Sequence, residues 1–288
     1  MIPAILAALF FVLQNLGSRA FSKYFERGFY QLMAVNSAAL AIASVLLAFL
    51  RPRPLPWPAA LLAVAFGALF VAAISVIMLT FSRGPLGMCT LIIDMYIMPA
   101  VLAGMLLWRE RPTPITGVAM VLTVVSLALI AFPDGREDTK AKKGWLLLAI
   151  TAMLLNSGLS LVQKSALTLY PEMGTGDFTF WSLAAGAAMS MLLFLGMRVF
   201  GKKRFSPGQP LKKLPLVAAA EGIGTAAAYW LENRALTVAP SILVFPVVIS
   251  VNVGVLMLIS VIFFGEKLSL RRGIAFAAGL AGIIMMNL

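Results

Sequence analysis

Apolar residues run almost unbroken through stretches of about twenty positions, and polar residues gather in the short gaps between them. Neither the period-two alternation of a half-buried strand nor the narrow apolar stripe of a surface helix has this form. A helix of ~20 residues spans the ~30 Å hydrocarbon core of a bilayer. Ten such runs can be marked, at roughly 2–20, 30–50, 57–79, 86–108, 114–132, 144–163, 178–200, 214–231, 240–264 and 271–288. A backbone in hydrocarbon must satisfy its own hydrogen bonds, which predicts a helix for each run. An outer-membrane barrel would show ~10-residue alternating segments instead. The expected fold class is an all-α integral membrane protein of ten transmembrane helices. The first run has neither a basic leader nor a small-residue cleavage site, so it is expected to remain as a span.

Composition supports the same class and narrows the chemistry. Hydrophobic residues make up 61% of the chain and charged residues 12%, against ~45–50% and ~25% in soluble proteins. A soluble fold of this size has too little interior to hide that much apolar surface. There is no histidine, which removes Ser–His proteolysis, imidazole metal sites and histidine proton shuttles. The lone cysteine, Cys89, forms neither an intrachain disulfide nor a multi-thiolate site. No cofactor and no metal is expected.

The net charge of +12 does not point to nucleic acid. The basic residues stand in the gaps, where they set topology and meet anionic headgroups. Numbered from the N-terminus, the odd gaps and their flanks hold 17 Lys and Arg and the even gaps hold 6. The positive-inside rule then puts the odd gaps in the cytoplasm and both termini outside.

The chain also resembles itself. Asn15, Gly17 and Lys23 in the first span recur as Asn156, Gly158 and Lys164 in the sixth, an offset of 141. Glu110-Arg111, Thr113 and Gly117 recur as Glu266-Lys267, Ser269 and Gly273, an offset of 156. Two five-span repeats are expected, over 1–133 and 144–288, joined by 134–143. Because five is odd, the second repeat enters the membrane inverted, an arrangement suited to alternating access around a midplane site.

With Leu107-Trp108-Arg109-Glu110-Arg111 through Gly117, and Phe264-Gly265-Glu266-Lys267 through Gly273, the chain resembles the EamA-type members of the drug/metabolite transporter superfamily over nearly its whole length. The resemblance implies a 5+5 fold and a secondary carrier in which solute passes through a central cavity between the halves. Relatives of this type carry amino acids, amphipathic amines, choline-like cations or sugar and phosphate metabolites, so it says little about the solute. No G-x-x-x-x-G-K-[ST] phosphate loop is present. Many relatives are thought to keep both termini inside, against the charge count here.

Charge within a span is costly and marks function by default. Asp94 stands about eight residues into the fourth span, followed by Tyr96 and Pro99, and Glu221 stands at similar depth in the eighth. Each is a candidate for binding a cationic group or cycling a proton, and burial would raise either carboxyl's pKa. The alternative is a hydrogen-bonded structural acid within the bundle. Gln14, Asn15, Asn156 and Asn252 are candidates for a polar floor to the cavity, with interhelical hydrogen bonding as the rival role. Tyr229 and Trp230 offer stacking or cation–π contacts, or interfacial anchoring. Glu110 and Glu266 read as caps on the helix that follows each, and Gly117 and Gly273 as structural partners in the same motif. Pro99 and Pro246 are candidate bending points.

The expected function is secondary transport of a small organic solute, most plausibly an amine, amino acid or other zwitterionic or cationic metabolite, with protons as the coupling ion. Carriage of anionic metabolites of nucleotide-sugar or phosphate type stays open, because Arg19, Lys23, Lys164 and Arg234 can enter an open cavity. A non-transporting scaffold or lipid translocator is a further alternative. An intramembrane enzyme is not expected, since Asp94 is the only aspartate well inside a span. The partners are the lipid bilayer and the solute, in a monomer or homodimer, and the expected location is a prokaryotic cytoplasmic membrane.

Overall fold

The structure is a computed structural model. It describes residues 1–24, 28–81, 83, 92–93, 95–111, 113–131, 144–205 and 208–264, with isolated positions from 273 to 285. Asp94, Cys89, Glu266 and the connecting segment 134–143 lie outside the described residues.

Among the described residues, continuous helices lie in nine of the ten apolar runs. They are α1 (Ile2–Tyr24), α2 (Phe29–Ala48), α3 (Trp57–Phe81), α4 (Ile97–Leu107), α5 (Pro114–Ala131), α6 (Trp145–Leu169), α7 (Thr175–Val199), α8 (Leu214–Val238) and α9 (Ser241–Phe264). A 3₁₀ turn, Leu211–Lys213, leads into α8. Five of these helices are long and apolar enough to cross a membrane. The chain is a multi-pass membrane protein.

Among the described residues of the fourth run, 92–93 are helical, Met95 and Tyr96 form a turn, and a continuous helix runs from Ile97. Pro99 therefore sits in the first turn of α4, where a missing N–H costs no intrahelical bond. Pro246 does lie inside α9. Several helices run past the expected spans; α8 continues to Val238, carrying Glu232 and Asn233 inside a helix that hydropathy ends at 231.

The helices pack chiefly across the two parts of the chain. α1 packs on α8 and α9, α2 on α7 and α8, α3 on α6 and α7, and α4 on α9 and α6. If α1 to α4 are exchanged in order with α6 to α9, this set of pairs maps onto itself. Small residues allow the close approaches. A Cβ on Gly224 would stand 2.5 Å from the Gln14 amide nitrogen in α1, and one on Gly67 would stand 2.6 Å from the Gly186 amide nitrogen in α7. α1 and α8 run antiparallel, since Gly17 meets Glu221 while Gln14 and Phe10 meet Gly224, and the bundle has two ends. We call the end where α1 begins the near end, and the end where α1 finishes the far end.

Candidate functional site

Among the described residues, the buried carboxyls Glu221 and Glu232 both lie on α8. Glu221 is 8% exposed. It lies against Gly17 of α1, where an added Cβ would meet its Cγ at 2.5 Å, and Ser18 supplies a side-chain hydrogen bond. Three turns on, Glu232 is 4% exposed and accepts a hydrogen bond from Gln163 Nε2 of α6 at 3.0 Å. A spacing of eleven residues brings both carboxyls to nearly the same face of α8, about 16 Å apart along its axis. The next residue, Asn233, donates to Thr179 Oγ1 of α7 at 2.8 Å. Glu232 and Gln163 were not singled out from the sequence. The signal was there, a glutamate close behind an apolar run, but the run appeared to stop one residue before it.

Between the two acids, Tyr229 is enclosed by aromatic rings. Phe11, Phe66 and Phe70 meet it edge-on, with centroids at 5.2, 5.4 and 6.0 Å. Phe178 extends the cluster from α7, 6.0 Å from Phe66. Trp230 packs partly buried against the same core, with its Nε1 near Gly176 at the start of α7. Both residues are half-buried. The rings come from α1, α3, α7 and α8, so the cluster spans both parts of the chain.

The amides divide. Asn15 is exposed and donates through Nδ2 to Asn252 Oδ1 of α9 at 3.1 Å, while Asn252 Nδ2 donates to the Ala8 carbonyl at 3.3 Å. Asn156, the repeat equivalent of Asn15, instead donates to the Ala152 carbonyl of its own helix at 3.1 Å. Gln14 is half-buried and contributes backbone to the contact with Gly224. Tyr96 presents its carbonyl to Ser157 Oγ of α6 at 2.8 Å. A Cβ on Gly117 would meet nothing within 4 Å, and Gly273 is helical.

Glu110 corrects an expectation. It does not cap α5, which follows it; α5 opens with Pro114, a residue with no N–H to offer there. The chain leaves α4 through Arg109 at φ 54°, a left-handed conformation that a non-glycine residue adopts at some cost. The Glu110 N–H then returns to the Gly104 carbonyl at 3.2 Å, and this turn sends the side chain across to the start of α9. There it accepts hydrogen bonds from Ser241 N (3.0 Å), Ser241 Oγ (2.7 Å) and Ile242 N (3.1 Å). It also pairs with Lys164 Nζ of α6 at 3.2 Å. Burial would raise the Glu110 carboxyl, but the Ser241 and Ile242 donors and the Lys164 charge outweigh it and hold it below the usual carboxylate range.

Residues 143–288 match the EamA-like transporter family. This chain belongs to that family. No curated protein matches it in sequence. Among solved structures 28 chains match. One, described only as the crystal structure of a protein, is 15% identical with a TM-score of 0.77, covering 99% of this chain and 94% of its own. At that identity the likeness speaks for the fold alone. Membership makes the chain a membrane transporter of the drug/metabolite type, in contact with the lipid bilayer. The described half of the repeated glutamate motif, Glu110, is thus a structural feature of an EamA-type protein whose long-range partners are now visible.

Proposed function

We propose that this protein is a secondary carrier, not an enzyme, which moves a small amine, amino acid or other zwitterionic or cationic solute by alternating access, with protons as the coupling ion. The observation that carries the reading is the set of groups on α8. Glu221, the aromatic enclosure of Tyr229, and Glu232 lie on one helix that packs against α1, α2, α6, α7 and α9. Buried acids beside aromatic faces suit a cationic group, whose charge offsets the carboxylate and whose apolar part meets the rings. A 5+5 inverted repeat is supported by the exchange of α1–α4 with α6–α9, which leaves the pairing of helices unchanged. Two equivalent halves give inward and outward shapes of similar energy, which a carrier requires. The charge count favours placing the far end, with its basic segment around Lys202 to Arg204 and Lys212 to Lys213, in the cytoplasm.

Uptake of a radiolabelled amino-acid and amine panel into proteoliposomes, with and without an imposed pH gradient, tests this. Wild type is expected to accumulate at least one solute faster when protons flow down their gradient. Glu221→Gln is expected to lose that stimulation. Wild-type rate and pH response in Glu221→Gln would remove Glu221 from the mechanism. The same panel extended to sugar phosphates distinguishes an anion carrier.

A further inference from the structure

At the near end, three segments from different parts of the chain, the α4–α5 loop, the start of α9 and the end of α8, converge on two adjacent side chains of α6. Lys164 pairs with Glu110, which holds the first N–H groups of α9, and its Nζ also lies 3.4 Å from the Leu236 carbonyl near the end of α8. Gln163, the preceding residue, donates to Glu232 of α8. A second tie lies at the same end, where Asp177 at the start of α7 accepts the Arg53 N–H at 2.8 Å, and Trp181 Nε1 donates to the Arg53 carbonyl at 2.9 Å. Lys164 and Glu110 are only 11% and 10% exposed, so their charges meet with little water between them. A pair of this kind is costly to separate, because each charge would be left without its partner.

The α9 cap is not local. Pro240 precedes α9 and has no side-chain acceptor, Ser241 gives its hydroxyl to Glu110, and the carboxylate comes from the loop between α4 and α5, 131 positions away in sequence. The cluster thus makes the position of α9 depend on the α4–α5 loop and on the last turns of α6 and α8. Separating the two halves at this end would break the Glu110–Lys164 pair and strip the α9 start of its acceptor in one movement.

We propose that Glu110, Lys164 and Ser241, backed by Gln163–Glu232, form the latch that holds the near end of this carrier shut and must release for solute to pass there. The inference rests on the carrier reading, but it is tested without a solute. In a Cys89→Ser background, Asn252→Cys places one thiol at the middle of α9, between the halves. Oriented membrane vesicles present each end in turn to a membrane-impermeant maleimide. With the latch intact, labelling from the near end is expected to be slow.

Lys164→Gln and Glu110→Gln are each expected to raise the near-end rate at least about tenfold, the size of shift that loss of one buried pair gives a two-state equilibrium. The double variant should do little more than either alone, since both remove one interaction. Labelling from the far end should fall in parallel. Unchanged near-end labelling in both variants would overturn the latch. So would an equal rise from both ends, which reports loosened packing. Lys164→Arg, which keeps the charge and a donor, is expected to restore slow labelling; a rate as high as that of Lys164→Gln would also count against the proposal. A protein that labels as expected yet transports nothing would keep the latch and sink the carrier reading, so the two failures are distinguishable.

Discussion

At the scale of single residues, an acid's partners decide its role. Glu110 accepts hydrogen bonds from two backbone N–H groups and one hydroxyl, and it pairs with Lys164. Its folded-state pKa therefore lies below the unfolded value of 4.5. A depressed carboxyl contributes stability that is complete above its unfolded pKa and is lost as pH falls through the folded one. Detergent-solubilised wild type is expected to lose thermal stability between about pH 6 and about pH 3 more steeply than Glu110→Gln. Parallel melting curves for the two across that range would contradict this. At neutral pH, Glu110→Ala is expected to cost about 1–3 kcal/mol, because it orphans the α9 donors and the Lys164 charge. That role was not legible from spacing, which shows only that a glutamate precedes Pro114. The partners lie more than fifty residues away in either case, and local pattern carries no signal for them.

At the scale of helices, the long apolar runs were readable and their ends were not. Hydropathy falls at Glu232-Asn233-Arg234, yet α8 continues, because Glu232 accepts a hydrogen bond from Gln163 and Asn233 donates one to Thr179 inside the bundle. The same paired polar groups that hid the helix end from the sequence are the ones that tie α8 to α6 and α7. Small residues tell more than charge about how close the helices come. Gly224→Ala would press a methyl onto α1 backbone at 2.5 Å, so it is expected to destabilise by about 1–3 kcal/mol. Tyr229→Ala, which empties the ring enclosure, is expected to cost about 3–5 kcal/mol. Guanidinium or thermal denaturation in one detergent checks both, and wild-type stability in either would show that α8 is not packed as described.

At the scale of the molecule, a repeat was expected from a handful of residues, Asn15-Gly17-Lys23 against Asn156-Gly158-Lys164, and family membership rests on the second half. The equivalence is one of helices more than of side chains. Asn15 reaches Asn252 on another helix, whereas Asn156 bonds within α6. The solute was unreadable because no motif in the sequence reports which side chains of four helices meet, as they do around Tyr229.

Counterflow is the most direct measurement of the central claim that this bundle carries a solute and does not merely anchor or conduct. Proteoliposomes would be loaded with unlabelled amino acids and amines and diluted into traces of the labelled compounds. An alternating-access carrier is expected to take up at least one label transiently above equilibrium, faster from loaded than from empty liposomes. Uptake that never exceeds that of protein-free liposomes, or that is indifferent to the internal load, would contradict the claim.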